Sequence, residues 1–129
     1  MTAPNLRERY LQESISTASP GKLLVMLYDR LVLDLAQGEE ALRTGDRDMA
    51  AERITHAQEI ILELRTTLDV DAWEGGPGLA ALYGFLLTEL IQANIKRNAD
   101  QVASCRALIE PLRDAWRGAA GAVGPVSVG

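Results

Sequence analysis

The stretch from Thr17 to Leu35 constrains this chain more than any other. Ser19 followed by Pro20 reads as a helix start. A serine oxygen accepts from a free amide of the first turn, and a proline at the first helical position removes no donor the helix would use. Beyond it the segment is apolar on two faces. Leu23, Leu24, Leu27, Tyr28, Leu31 and Leu35 recur at the i, i+3, i+4, i+7 spacing, and Val25, Met26, Val32 and Leu33 form a second stripe. A helix at the edge of a small domain needs one apolar stripe. The second must be covered by other helices of the same chain or by a partner.

The rest of the chain repeats the helical period. The spacing predicts a first helix over about Pro20–Arg43, ended by Gly45, and a second over about Arg47–Leu68, capped by Asp46. Ala50, Ile54, Ala57, Ile61, Leu64 and Leu68 step by four and three, which is a bundle seam, with Ile60 and Leu62 widening it. Residues 69–78 carry three glycines and a proline and read as an irregular connection, with Trp73 folded back as an anchor. A third helix is expected over about Leu79–Arg97. One of its stripes is Leu79, Leu82, Tyr83, Leu86, Leu90 and Ala93; a second is Ala80, Gly84, Leu87, Ile91 and Ile95. Gly84 is expected to admit a neighbouring backbone.

The fourth helix, to about Arg117, carries Val102, Cys105, Ile109, Leu112 and Trp116 on its seam. Pro111 predicts a kink or a break near Ala107–Pro111. With no β alternation, the fold class is all-α: an antiparallel four-helix bundle forming one domain over 1–117. An N-terminal arm or short helix occupies 1–18, with Leu6, Tyr10, Leu11 and Ile15 as its apolar members. A glycine- and alanine-rich tail, expected to be mobile, follows at 118–129.

Composition narrows the function. A net charge of −5 argues against nucleic-acid binding, which draws on basic groups. No apolar run approaches a membrane span and the start lacks a signal-peptide core, so a cytoplasmic location is expected and membrane insertion is not. A single cysteine fits a reducing compartment. One histidine and one cysteine leave little to bind a metal, and no cofactor is expected. Residues 75–78 lack the Lys-Ser/Thr of a phosphate loop. His56 faces away from the seam and reads as a solvated surface histidine. The competing reading is a histidine phosphotransfer bundle using His56, but Glu59 beside it would repel a phosphate.

Several segments together resemble the FliS family of flagellar secretion chaperones. They are Thr-Ala-Ser-Pro-Gly-Lys-Leu-Leu-Val-Met-Leu-Tyr-Asp over 17–29, preceded by Tyr10 to Ile15; Ala-Gln-Glu-Ile-Ile-Leu-Glu-Leu over 57–64; Leu68 and Asp69; Gly75 and Gly76; Leu82 and Tyr83; Ala93 and Asn94; and Leu-Arg-Asp-Ala-Trp over 112–116. The resemblance implies a bundle without enzymatic activity whose client is the C-terminal segment of flagellin. The chaperone would keep that client from polymerising and help present it to the flagellar type III export apparatus. It also implies that the arm, here Leu6, Tyr10, Leu11 and Ile15, takes part in client binding and covers the groove when it is empty, with self-association as the risk of an uncovered surface. Val25, Met26, Val32 and Leu33 on the first helix, and Leu87, Ile91 and Ile95 on the third, are the stripe residues expected to face the partner. The chain departs from the family pattern at Arg30, where members often have glycine, and at Pro111.

Overall fold

A computed structural model describes the backbone of residues 20–128 and the side chains of 20–120. The arm residues Leu6, Tyr10, Leu11 and Ile15, and the Ser19 cap, lie outside the described residues. Four helices follow in order: α1 (Pro20–Thr44), α2 (Arg47–Thr67), α3 (Gly76–Lys96) and α4 (Ala99–Val128). They form an antiparallel bundle in which α1 packs closely on α2 and α4. Diagonally across from it, α3 packs on the same two helices more thinly.

The helix ends follow from local chemistry. Gly45 takes φ +81° at the end of α1. Its amide reaches the Leu42 carbonyl at 3.4 Å and the Asp46 amide reaches that of Ala41 at 2.8 Å, the paired bonds of a left-handed helix stop. Asp46 then caps α2 by accepting from the Met49 amide at 3.2 Å. At the α3–α4 turn the same device is built on Arg97, a non-glycine residue at φ 55°, and Asn98 caps α4 by accepting from the Gln101 amide.

Two expectations are corrected here. Residues 76–78 are helical, because Pro77 fits a first turn. Gly76 is needed for packing: a Cβ there would lie 2.1 Å from the Val70 carbonyl oxygen. Of the kink or break expected at Pro111, the break is absent: the fourth helix does not stop and restart there. It is helical from Ala99 through the glycine- and alanine-rich stretch to Val128. Pro111 sits on the exposed side, while Ile109 is buried and Leu112 and Trp116 pack on the core either side of it.

The core is the seam read from the sequence. Ala50, Ile54, Ala57, Ile61 and Leu64 of α2 are buried, as are Leu27, Tyr28, Leu31 and Leu35 of α1, Leu79, Tyr83, Leu86, Leu90 and Ala93 of α3, and Val102, Cys105 and Ile109 of α4. Each large aliphatic side chain among them contributes ~1.5–3 kcal/mol of burial. Ile60 joins them, but Leu62 is exposed rather than part of the seam. Gly84 faces open space, so no backbone approaches it.

Candidate partner-binding surface

The two double-striped helices end up in different surroundings. On α1 the second stripe is largely absorbed. Val25 and Met26 are half-buried, and Val32 is only 8% exposed within the core, so it is corrected from a partner-facing residue to a packing one. The tight contacts of α1 with α4 cover that side. Of the four, only Leu33 is well exposed, at 43%.

On α3 the second stripe is open. Ile91 is 48% exposed, Ile95 76%, and Phe85, which the sequence reading did not single out, 51%. Leu87 is half-buried beside Ile91, whereas Phe85 falls on the flank of Glu89 and Gln92. Glu89 acts electrostatically on Cys105 and the Gln92 side chain accepts from that of Gln101, so that flank of α3 faces α4. Leu87 and Ile91 fall on the opposite flank, toward α2. Leu62 of α2 lies opposite Arg53 in helical phase, which puts it on the same side. Ala81, Phe85, Thr88, Ile91, Gln92 and Ile95 are exposed and uncharged. By length and composition α3 is the one helix among the described residues able to span a bilayer, yet its other face is built into the core.

At the Trp end of the bundle lies an apolar notch of about 230 Å³, lined by Leu24, Leu64, Leu68, Trp73, Leu79 and Trp116 among others. Trp73 meets Trp116 edge-on at 6.1 Å, and Trp116 meets Tyr28 edge-on at 6.4 Å. Trp73 is therefore the anchor expected of it. Below the notch the Tyr28 and Tyr83 hydroxyls share a 2.5 Å hydrogen bond across the diagonal between α1 and α3. Burial raises the pKa of both phenols, opposed at Tyr28 by its bond to Tyr83 and reinforced at Tyr83 by the neighbouring ring. Both stay protonated, so the pair is a neutral tie. Cys105 is a buried thiol pushed up to about 12 by its burial, with the Glu89 charge adding to the effect. It is a packing residue, not a nucleophile.

His56 is not the solvated side chain expected. Asp34, fully buried on α1, is bonded through Oδ2 to His56 Nδ1. Its Oδ1 lies 3.3 Å from Arg30 Nε and 3.6 Å from Arg53 Nη1. Asp34 sits in an apolar run and was not singled out from the sequence. The available clue was the pairing of one acid there with Arg30 one turn before it. On the α1–α4 side, Glu39 accepts from Arg106 and Arg43, and Asp29 pairs with Arg113 and Arg117. The Arg106 bond, with Arg43 and the two charges assisting, holds the Glu39 carboxyl below the usual carboxylate range against its partial burial.

Comparison with known proteins adds to this geometry. The sequence profile of the flagellar protein FliS matches residues 3–123. The flagellar secretion chaperone FliS of Bacillus subtilis is 33% identical over 117 residues, covering 91% of this chain and 87% of its own length. Its counterpart from Vibrio cholerae is 30% identical over 107 residues, covering 82% and 79%. Among solved structures, a crystal structure of a flagellar chaperone from bacteria superposes with a TM-score of 0.72 at 24% identity, over 88% of this chain and 93% of that one. At that identity it speaks for the fold.

Proposed function

The chain belongs to the flagellar protein FliS family, and on that premise we propose that it is a cytoplasmic, non-catalytic export chaperone for flagellin. Its client is the C-terminal segment of flagellin, held as an amphipathic helix against α3 and kept from polymerising until it is passed to the flagellar export apparatus. The observation that carries this reading is the uncovered outer side of α3, with Ile91 and Ile95 on it, Leu87 at its α2 edge, Phe85 at its α4 edge and no charged side chain between them.

An apolar face of this kind suits the apolar stripe of a helix better than a charged tail. Most of these side chains are already about half-buried, so covering what remains provides a gross ~3–6 kcal/mol. Ordering a disordered client takes back ~2–5 kcal/mol or more. Val25, Met26 and Leu33 are secondary contact positions. Leu6, Tyr10, Leu11 and Ile15 are assigned to client binding on the family likeness alone, and they also shield the face against self-association when no client is present.

Isothermal titration with a peptide from the flagellin C-terminus tests the reading. Saturable binding is expected, and Phe85→Ser with Ile91→Ser should weaken it by at least about tenfold, roughly 1.4 kcal/mol, with helix content unchanged. Absence of both heat and thermal stabilisation would remove it.

A further inference from the structure

The notch at the Trp end combines an apolar lining with polar protons that have nowhere to go. Leu24, Leu64, Leu68 and Leu79 supply aliphatic lining, and Trp73 lies among them. Trp73 is set in place by its neighbours. A Cβ on Gly75 would fall 2.1 Å from its ring, and Trp116 meets it edge-on at 6.1 Å. At about 230 Å³ the notch exceeds the ~150 Å³ that is enough for a benzene ring. Tyr83 and Trp116 also line it. Two hydroxyls bonded to each other use one proton between them, so the Tyr28–Tyr83 pair keeps a second O–H with no acceptor among the described residues. Trp116 Nε1 is likewise buried without a partner.

A buried donor without an acceptor is destabilising, so these two protons favour whatever brings an acceptor to them. The charge around the notch says which kind. No lysine, arginine or histidine lines it, and Asp69 does. A carboxylate or phosphate would enter without a counter-charge, whereas a neutral carbonyl needs none. We propose that the notch is a binding pocket for one aliphatic residue of a bound polypeptide. The side chain fills the apolar space, and the residue's carbonyl oxygen accepts from the Tyr83 hydroxyl, with Trp116 Nε1 as the second donor. Leu79 and Tyr83 are buried residues of α3, on the side of that helix away from Ile91 and Ile95. The pocket is therefore a site apart from the open side of α3, and it stands whether or not that side holds flagellin.

Heteronuclear magnetic resonance of the isotope-labelled full chain tests this through the indole N–H signals of Trp73 and Trp116. The probe is N-acetyl-leucine methylamide, an aliphatic side chain flanked by two neutral carbonyls. Both signals are expected to move together and saturably, with a dissociation constant on the order of a millimolar. N-acetylglycine methylamide, which has the carbonyls and no side chain, should move neither. Tyr83→Phe should weaken the leucine probe about fivefold. Leu24→Trp fills the notch, leaves the hydroxyl pair intact and should abolish binding with helix content unchanged; it decides the matter should Tyr83→Phe fail to fold. Absence of a saturable shift in the wild type would overturn the proposal and leave the spare protons to water. Equal binding of the glycine and leucine probes would overturn it as well. Undiminished binding to a folded Tyr83→Phe would overturn the assigned donor, and undiminished binding to Leu24→Trp the assigned place.

Discussion

On one flank of α2, Arg53 and His56 meet a buried aspartate and an arginine of α1. On the other, Leu62 of α2 and Leu87 and Ile91 of α3 turn to the same side of the bundle, with Leu62 and Ile91 exposed. The first flank is closed by polar groups gathered on one aspartate, whose Oδ1 is held by ion pairs and no hydrogen bond; the second is left greasy and half-covered. Packing follows the same division. α1 is gripped by α2 and α4 and carries ion pairs to both, whereas α3 contacts its neighbours thinly and is tied across the diagonal by one neutral tyrosine pair. In one small bundle, dense packing and ion pairs are concentrated around α1 and uncovered apolar side chains on α3. Apolar side chains can be left uncovered on a helix whose loss of contacts the rest of the fold tolerates.

Four measurements would break or sharpen that contrast. The largest effect is expected at the polar flank. Arg30→Leu with Arg53→Leu leaves Asp34 buried with only His56, and urea denaturation should show a loss of about 3–5 kcal/mol. Leucine at Asp34 as well should restore much of it. A loss below about 1 kcal/mol would mean that the cluster behaves as an ordinary surface pair.

Next comes the thiol between α4 and α3. Cys105 should react with a disulfide reagent at least about a hundredfold more slowly than a free cysteine, from its burial and its raised pKa. Truncation at Leu90 should release it more than truncation at Leu31, because α3 is the side that opens. Equal release would argue that the bundle opens as a whole.

The third test uses two fully buried leucines in the two environments. Leu31→Ala on α1 should cost about 4 kcal/mol and Leu86→Ala on α3 about 2–3 kcal/mol, since a thinly packed site collapses more easily around a cavity. The reverse order would invert the comparison.

The smallest effect is electrostatic. The folded pKa of Glu39 is depressed, so its pairing stabilises the protein above the ordinary glutamate range and is lost as pH falls through the lowered folded value. Glu39→Gln should therefore lower stability at neutral pH by on the order of 0.5 kcal/mol, and the difference should vanish in acid. A gap that persists at low pH would point to packing rather than charge.

The helices and their seams were legible because one period governs the whole chain. Ala50 to Leu64, the Gly45 stop and the Asp46 cap all reappear where spacing and turn chemistry put them. What spacing could not settle was which second stripe stays open. Val32 and Leu87 look alike in sequence, yet one lies under the dense α1–α4 contact and the other at the thin α2–α3 edge. Local rules also misjudged residues whose fate is tertiary. Pro77 opened a helix rather than a loop, with Gly76 tight against the Val70 carbonyl, Pro111 stayed helical on an outward side, and His56 was claimed by an aspartate on another helix. Phe85 was missed because it falls between the two stripes, on a side that only the loose seating of α3 exposes.

The edge-on chain from Tyr28 through Trp116 to Trp73 has an optical consequence. It gathers both indoles of the protein at one end of the bundle, with Trp73 half in water and Trp116 against the core. Intrinsic emission therefore watches the loop before α3 and is blind to the opposite end, where Gly45 and Arg97 turn the chain. A shift in the tryptophan spectrum without a change in ellipticity would report that this end has loosened while the four rods stay upright.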